Sequence, residues 1–515
     1  MKRKLKSLED IKHYWETNTS PIYFVSPTTF NLMDLDRWVK NLNYIVYIDT
    51  FNGQHPNVFV PSRSVTPTFE HLEEINLYLL GHKEVYERLT RTAIDPALVE
   101  CDGGQPLEIK KTFSAETGKG RHGNVLFLFF NKALETFCED IGLNIWLPSH
   151  DTVTMVDNKI VTTQLGNEAG VASVPNVLAK VDSYATLQNL AKAHGLGASW
   201  VIQTAYGDSG KTTFFVSDES DYAKVADQIE SETQVKVMRR IRCASAAIEG
   251  SATRCGTFVG PLMSELIGVP SLTPYQGGWC GNDLHQKGFS SEIRRQAQDM
   301  TVALGNALYA RGYKGYFEID YLIDLDTNTV YLGELNPRIT GITAMTNTSP
   351  FCQETVPLFL FHLLEFSDVP FVLDPDDYNC QSLTHGAAGE TGQLILKYTQ
   401  TPLLIIEAAP VSGVYFFAED GALILKKESP YRAEALAPNE VFLLRIMKEG
   451  EYAYYGGDMA ILFVNTPLMD ATYAVTVTAH AIISAFRALY LFRELTSEEQ
   501  SLIARYQNPG VRYKA

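Results

Sequence analysis

Four oxygen-bearing side chains cluster near the middle of the chain, in the stretch GYFEIDYLIDLDTNTVYLGELNPRITG. Suppose that two strands pair about a turn centred on Thr327. Asp320 then falls opposite Glu334, and Glu318 falls opposite Asn336. Because residues two apart on a strand share a face, the sequence predicts that these four side chains lie on one face of one hairpin.

A face with these four side chains is expected to bind a cation. Like charges opposed across strands are destabilising, and the apolar neighbours of this hairpin indicate partial burial, which makes unpaired charge costly. Carboxylate and amide oxygens suit Mg²⁺, which shares its ligand shell with substrate phosphates and waters. Arg338 follows Pro337, where the ladder ends, and its guanidinium fork can hold a phosphate or carboxylate oxygen. A solvent-facing acidic hairpin is the alternative, since a one-residue slip reverses the face.

A glycine loop forms the second chemical feature. AYGDSGKT (205–212) nearly spells a P-loop, but Ala205 stands where that motif needs glycine, and the β-rich TFFVSD follows instead of a helix. The pattern therefore disfavours a P-loop. A glycine loop at a hairpin tip can fold over phosphates and offer backbone N–H groups, the Ser209 hydroxyl and the Lys211 ammonium. An ordinary solvated turn is the alternative.

The elements that would position these residues begin with a region of alternating extended and helical patterns. Buried strands alternating with polar stretches of helical spacing predict a parallel sheet with flanking helices. The strands are predicted at PIYFVS (21–26), YIVYIDT (44–50) and VLFLFF (125–130).

The next segment predicts a small sheet around the glycine loop. SWVIQT (199–204) and TFFVS (213–217) flank the loop and predict a strand on each side of it. VKVMRRI (235–241) predicts a further strand, and residues 184–194 predict a helix that Gly195 ends.

A long helix is predicted next, from apolar residues that recur at steps of three and four. These are Ile293, Ala297, Met300, Leu304 and Leu308. GGWCGND (277–283) is glycine-rich and predicts a loop, with a role in lining an acceptor pocket left open. From about residue 375 the chain predicts short strands and turns, closed by an apolar helix near 472–493.

Together these segments resemble the ATP-grasp superfamily over roughly residues 150–350. The resemblance implies an α/β (α+β) chain: an N-terminal parallel-sheet pre-ATP-grasp domain, a β-hairpin lid subdomain, a mixed-sheet catalytic core and a C-terminal β-rich region. The corresponding boundaries are 1–155, 156–240, 241–372 and 373–515.

The resemblance also implies site residues. Asp320, Glu334 and Asn336 would hold Mg²⁺, with Glu318 as the alternative first carboxylate. Arg338 and Lys211 would act in catalysis, Arg338 by steadying the acyl phosphate. The implied ATP-binding residues are Lys159, Gln203, Gly207, Ser209, Gly210, Lys211, Thr212, Met238, Arg239, Arg240 and Ile241.

Two of these residues fit their implied roles in ATP binding less well than the others do. Taken alone, Lys159 is typical of a surface lysine, and only the resemblance gives it a phosphate contact. Gln203 stands where the family usually has a second phosphate-binding lysine, and glutamine cannot neutralise phosphate charge. Lys211 is one candidate substitute for that lysine.

Composition and charge disfavour nucleic-acid-binding, membrane-spanning and secreted proteins. The formal net charge of −17 disfavours nucleic-acid binding. We see neither a segment of the ~20 apolar residues that a membrane span needs nor a signal-peptide pattern, so the cytoplasm is the expected compartment. The seven cysteines include no CxxC pair and are expected to be reduced thiols.

The leading hypothesis from the sequence is an ATP- and Mg²⁺-dependent ligase. It would activate a small carboxylate as an acyl phosphate for attack by an amine, and a homodimer would be unsurprising in this family. The runner-up is a biotin-carboxylase-like enzyme that phosphorylates bicarbonate, although Met447-Lys448-Glu449 is not the usual biotinylation sequence. Gln203 motivates a third reading, a nucleotide-binding protein with little turnover.

Overall fold

The computed structural model describes residues 4–62, 72–90, 123–207, 212–285, 288–386, 388–435 and 437–506. The strands of these residues form four sheets. The helices are α1 (Leu8–Thr17), α2 (Leu72–Leu80), α3 (Lys83–Thr90), α4 (Lys132–Asp140), α5 (His150–Val156), α6 (Lys159–Glu168), α7 (Tyr184–Ala193), α8 (Glu219–Ala223), α9 (Ala226–Ser231), α10 (Ser291–Ala310), α11 (Thr343–Thr348), α12 (Pro350–Glu354), α13 (Phe359–Phe366), α14 (Pro375–His385), α15 (Val477–Arg487) and α16 (Ser497–Tyr506).

The first sheet is parallel, as the alternating pattern predicted. Its order is β3-β2-β1-β4-β5, and each adjacent pair runs in the same direction. Its strands are β1 (Ile22–Ser26), β2 (Leu42–Val46), β3 (Val58–Phe59), β4 (Asn124–Phe127) and β5 (Asn144–Ile145). All five residues of β1 are buried, which explains its continuous apolar run.

The second sheet has the order β6-β9-β7-β8 and is antiparallel. We call it the lid sheet. Its strands are β6 (Asn176–Ala179), β7 (Trp200–Gln203), β8 (Thr213–Val216) and β9 (Val235–Arg239). The predicted strands on either side of the glycine loop do pair, and helix α7 matches the predicted helix to within a residue.

The third sheet has eleven strands in the order β15-β14-β10-β12-β13-β16-β22-β20-β18-β19, with β11 paired to β10. Strands from both sides of residue 372 join it, so core and C-terminal region share one sheet. Its strands are β10 (Cys243–Thr253), β11 (Gly256–Val259), β12 (Met263–Ile267), β13 (Trp279–Leu284), β14 (Gly315–Asp324), β15 (Val330–Asn336), β16 (Thr391–Lys397), β18 (Gly413–Phe417), β19 (Leu423–Glu428), β20 (Glu440–Arg445) and β22 (Asp458–Val464). The small remaining sheet holds β17 (Leu404–Ala408), β21 (Tyr452–Ala453) and β23 (Leu491–Arg493).

The predicted loop at 277–283 was wrong. Five of its seven residues, 279–283, lie in β13, an interior strand that pairs with β12 on one side and β16 on the other. Gly281 adopts φ +152°, and a side-chain carbon there would lie 2.2 Å from the carbonyl oxygen of Gln393. The glycine therefore permits close strand approach, and tertiary pairing overrides the local preference for a loop.

Helix α10 packs its predicted apolar stripe against the large sheet. Ile293, Ala297, Leu304 and Leu308 are buried, and Met300 is partly buried in the same cluster. No helix among the described residues is both long and apolar enough to span a bilayer. The six cysteines in the described part of the chain are free, and Cys101 lies outside it.

Candidate active site

We define β14 and β15 as the metal hairpin. Its four predicted metal ligands are paired in the predicted register. Asp320 lies opposite Glu334, and Glu318 lies opposite Asn336. Beyond Asp320 the register shifts by one residue, because Gly333 forms a bulge in β15. A side-chain carbon at Gly333 would lie 2.8 Å from the carbonyl oxygen of Asp320, so glycine permits this bulge.

Polar contacts join three of the four side chains to one another or to the cations Lys159 and Arg338. The Nδ2 of Asn336 donates to Oδ2 of Asp320 at 3.2 Å, and Nη2 of Arg338 donates to Oδ1 of Asn336 at 3.2 Å. The Nζ of Lys159 lies 2.9 Å from Oε1 of Glu334. Glu318 is 5% exposed and the Glu334 side chain is 27% exposed, so these acids do not lie in open solvent as the alternative would have it.

Neighbouring strands add two more carboxylates to this face. One oxygen each of Glu265, Glu318 and Asp320 lie within 4.8 Å of one another. Glu249 lies opposite Glu318 on β10 and accepts hydrogen bonds from Tyr316 Oη at 2.5 Å and Thr343 Oγ1 at 2.6 Å. Five carboxylates therefore gather on one face of the large sheet.

Crowding of buried carboxyls raises their pKa values. Burial, with the charges of Glu249 and Glu265, raises the pKa of Glu318 to about 8. Burial, with Glu318 and Glu334, raises the pKa of Asp320 well above its ordinary range. Burial also raises the pKa of Glu265, aided by Asp320 and Glu334. A divalent cation placed among these oxygens would reverse each of these shifts by stabilising the charged forms.

Lys159 is the first residue of α6, where the Asn158 side chain accepts hydrogen bonds from two backbone N–H groups of the first turn. Its side chain is 4% exposed, so it is not the surface lysine that its local sequence suggests. Besides Glu334, its Nζ donates to the carbonyl oxygen of Gly207 at 2.6 Å. Lys159 therefore connects the metal hairpin to the start of the glycine loop.

The lid sheet supplies a second buried lysine that the sequence analysis missed. Lys236 on β9 lies directly opposite Gln203 on β7 and is 1% exposed. Burial lowers the pKa of Lys236 to about 8, and its charge interacts with those of Glu334 and Lys159. The sequence did carry a signal, since Lys236 is a lone charge inside the apolar strand VKVM.

Two further residues that were predicted to bind nucleotide lie on β9 of the lid sheet. Met238 is buried in the lid sheet opposite Val201, and Arg239 lies opposite Trp200. Arg240 is exposed, with its guanidinium 5.2 Å from the centre of the Phe215 ring.

The remaining nucleotide-binding predictions lie near the loop and the lid edge. Gly207 and Thr212, at the two ends of the loop, lie beside each other. Ile241 is partly buried in the connection from β9 to β10. The predicted residues Ser209, Gly210 and Lys211 lie outside the described residues.

Comparison with known proteins gives relatives for most of this architecture. No protein-family model matches the chain. The chain aligns over 330 residues with the chloroplastic biotin carboxylase of Arabidopsis thaliana at 22% identity, covering 58% of this chain and 57% of that protein. The match thus spans little more than half the length of this curated relative.

Solved structures match more of the chain at lower identity. The biotin carboxylase domain of 2-oxoglutarate carboxylase from Hydrogenobacter thermophilus, in complex with MgADP, ADP and bicarbonate, superposes with a TM-score of 0.56. It is 12% identical and covers 92% of this chain and 91% of that chain. An N5-carboxyaminoimidazole ribonucleotide synthetase in complex with ADP has a TM-score of 0.50 at 11% identity, covering 91% and 96%. The predicted ATP-grasp fold is confirmed.

Proposed function

We propose that this chain of ATP-grasp fold is an ATP- and Mg²⁺-dependent ligase that activates a carboxylate as an acyl phosphate for attack by an amine. One observation carries the proposal: the carboxylates gathered on one sheet face lie near two buried lysines from separate elements. Glu318, Asp320 and Glu334 supply the acids, and Lys159 and Lys236 supply the ammonium groups.

The metal requirement follows from the donor set. Carboxylate oxygens within 4.8 Å of one another repel unless protonated or bridged by a cation, and oxygen-only ligands suit Mg²⁺. Glu318, Asp320, Glu334 and Asn336 would hold the ion. When bound, Mg²⁺ neutralises charge that develops on the transferred phosphoryl group.

The two lysines would bind the ATP phosphates. Within the described part of the chain, the Lys236 ammonium has no ion pair closer than 4.0 Å, and Lys159 repels it. A buried ammonium without a close anion is unstable, and a bound triphosphate would supply the negative charge that both lysines need. Because Gln203 faces Lys236 across β7 and β9, Lys236 places a cation beside the position of the absent lid lysine.

The chemistry then proceeds in two steps. A substrate carboxylate oxygen attacks the γ-phosphorus, the bond from that phosphorus to the bridging oxygen breaks, and ADP leaves. The guanidinium of Arg338, held by Asn336, would stabilise the negative oxygens of the acyl phosphate. An amine nitrogen then attacks the acyl carbon, phosphate leaves, and the nitrogen loses a proton to give an amide.

The test measures both products. The protein would be incubated with ATP, Mg²⁺ and pooled small carboxylates and amines, and ADP and amide would be quantified together by mass spectrometry. The proposal predicts that ADP and amide form in equal amounts and that both depend on Mg²⁺. Nucleotide turnover that needs bicarbonate and yields no amide would reject it.

Phosphorylation of bicarbonate is the second candidate, and the sequence match to biotin carboxylase favours it. In that case, ATP turnover would rise with bicarbonate and free biotin together, and carboxybiotin would accumulate. The third reading, a protein with little turnover, rested on Gln203 and is weakened by Lys236. Tight ATP binding with no ADP formed across a broad substrate panel would support it.

Partners and compartment belong to the same proposal. We infer small-molecule substrates instead of nucleic acid, since the net charge of −17 repels phosphate backbones. We infer a homodimer in the cytoplasm. Light scattering at micromolar concentration tests the dimer, and fractionation of the source cells tests the compartment.

A further inference from the structure

The segment that follows the metal hairpin, residues 337–343, carries Arg338 on otherwise buried backbone, and we call it the Arg338 segment. Arg338 is exposed, whereas Pro337 before it and Ile339 and Thr340 after it are buried. The guanidinium therefore extends outward from a buried stretch of chain. The position of that stretch decides where the cation can reach.

Side chains from distant parts of the chain hold the backbone of this segment. Nδ2 of Asn31, just beyond β1, donates to the carbonyl oxygen of Thr340 at 2.6 Å. Nε2 of Gln393 on β16 donates to the carbonyl oxygen of Gly341 at 2.9 Å. The N–H of Thr340 donates to Oγ1 of Thr343 at 2.9 Å. The segment is thus anchored by its own backbone groups, and Thr343 is one of the anchors.

Thr343 is bonded in turn to Glu249, in a direction that its partners fix. Because Oγ1 of Thr343 accepts from the N–H of Thr340, its own hydrogen is directed to Oε1 of Glu249, at 2.6 Å. The other oxygen of Glu249 accepts from Oη of Tyr316 at 2.5 Å. That same Oη accepts from Nδ2 of Asn347 at 3.0 Å. We call Glu249, Tyr316, Thr343 and Asn347 the clamp.

The clamp is buried and its orientation is fixed. Oδ1 of Asn347 accepts from the N–H of Phe359 at 2.8 Å, and its Nδ2 also donates to the carbonyl oxygen of Thr343 at 2.8 Å. The four members of the clamp are 0–4% exposed. A buried carboxyl at Glu249, directly opposite Glu318, is costly, and apolar residues of similar volume would avoid that cost. Stability alone therefore does not explain the clamp.

We propose that Glu249 is a positioning residue: through Thr343 it fixes the Arg338 segment and so holds the guanidinium where the acyl phosphate forms. Arg338 lies midway between Asn336, the last residue of β15, and Thr340, the first residue that the clamp holds. Misplacing a reacting group by about 1 Å can cost about 10²-fold in rate, so a clamp that touches no substrate can still set kcat. This assignment rests on the proposed ligase function.

Two pairs of variants test the clamp. T343V removes the Thr343 hydroxyl and keeps the shape of the side chain, whereas T343S keeps the hydroxyl. Y316F removes the other donor to Glu249, and Y321F is its matched control. Tyr321 is a buried tyrosine on the same strand, and its hydroxyl lies 3.0 Å from that of Thr301. Because it is five residues from Tyr316, it faces the other side of the sheet.

Two measurements are made on the full chain. The kcat and the KM for ATP are determined from ADP formation with ATP, Mg²⁺ and the pooled carboxylates and amines. The Nε–Hε signal of Arg338 is followed by NMR after labelling with ¹⁵N-arginine and is assigned with the R338K variant. The second measurement requires no turnover, so it separates the clamp from the ligase function.

We expect T343V and Y316F to lower kcat by about 10-fold to 10²-fold, with less than about a twofold change in the KM for ATP, because the nucleotide contacts remain. T343S should recover most of the loss, and Y321F should match wild type. The Arg338 signal should move in T343V and Y316F only. In the R338K background T343V should cost less than about threefold, because a positioning residue acts through the group that it positions.

An Arg338 signal at the same position in every variant, or a T343V loss of equal size in the R338K background, would overturn the proposal. Equal losses in Y316F and Y321F would also overturn it. If T343V does not fold, the comparison of Y316F with Y321F decides alone. Wild type that forms no ADP with any substrate, while the Arg338 signal moves as expected, would support the clamp and reject the ligase proposal.

Discussion

The metal hairpin and the lid sheet contribute to the same site but are built differently. Strand β14 pairs with β10 from Cys243 opposite Asp324 to Ala252 opposite Gly315, and with β15 on its other side. Among the described residues, strand β8 pairs only with β7, from Trp200 opposite Val216 to Gln203 opposite Thr213. Strand β14 of the hairpin is therefore paired on both sides, whereas the lid sheet ends in the short edge strand β8.

This difference indicates that the hairpin is suited to metal binding and the lid sheet to closure over the nucleotide. Metal ligands need fixed geometry, and the hairpin supplies it from buried strands. Lids that close over nucleotide must move, and a small sheet with an edge strand can move with little loss of core packing. We therefore expect hairpin substitutions to act on the chemical step and lid substitutions to act first on nucleotide affinity.

The largest effect is expected from the E334Q variant. Glu334 meets Lys159 at 2.9 Å and lies opposite Asp320, so its loss removes a metal ligand and the partner of a buried ammonium. We expect ADP formation at saturating Mg²⁺ and ATP to fall by roughly 10³-fold, the scale of removing a preorganised transition-state contact. The E168Q variant is the control, since Glu168 forms an exposed ion pair with Arg311. Comparable losses in both variants would contradict the account.

A charge swap in the lid is expected to have the next largest effect. K236Q should raise the KM for ATP by about 10-fold to 10²-fold, because a charged contact to phosphate is lost. The Q203K/K236Q double variant moves the ammonium to the opposite strand and should recover at least a tenfold part of that loss. A double variant no better than K236Q would show that Lys236 does not substitute for the absent lysine.

His362 supports the base of the hairpin and makes its stability depend on pH. Its Nδ1 accepts from the Tyr316 N–H at 2.9 Å, and its Nε2 donates to the Trp146 carbonyl at 2.8 Å, so the ring is neutral. Burial lowers the pKa of His362 to about 3. The unfolded chain therefore binds a proton below about pH 6.5 that the folded chain does not, and the free energy of unfolding falls as pH drops, by about 1.4 kcal/mol per unit.

The H362Q variant isolates this effect. At pH 7.5 the variant should unfold in less urea than wild type, because a buried network is disturbed. At pH 5 the difference between the two should shrink by about 1–2 kcal/mol, since only wild type suffers the protonation penalty. A difference that is the same at both pH values would contradict the neutral assignment.

The smallest effect is expected from the G207A variant at the start of the glycine loop. Gly207 adopts φ +147°, and a side-chain carbon there would lie 2.0 Å from Oγ1 of Thr212. The loop must shift, and we expect a several-fold higher KM for ATP with little change in kcat or melting temperature. The G333A variant is the matched change in the hairpin and should lower kcat instead. Equal behaviour of the two variants would remove the distinction between the regions.

The sequence predicted the hairpin side of the site because its residues are local. Glu318 to Asn336 lie in one segment with one turn, so alternation alone places four side chains on one face. Between Gly333 and the turn, alternation predicts the wrong pairing, because a bulge shifts the register. At β13 the local sequence also misleads, because its glycines predict a loop where an interior strand forms.

Residues that act across strands could not be found in this way. Lys236 faces Gln203 only because β9 pairs with β7, and Glu265 reaches the hairpin only because β12 follows β10 in the sheet order. These pairings form between segments distant in the chain, so no local pattern encodes them. A charged residue within an apolar strand, as in VKVM, is the signal that points to such sites.

The most direct test of the central claim is a crystal structure with Mg²⁺ and a non-hydrolysable ATP analogue. We predict Mg²⁺ at about 2.1 Å from oxygens of Glu334 and of at least one of Glu318, Asp320 and Asn336, with Lys159 and Lys236 on the phosphates. Nucleotide bound away from the metal hairpin, with these carboxylates still protonated and free of metal, would contradict the account.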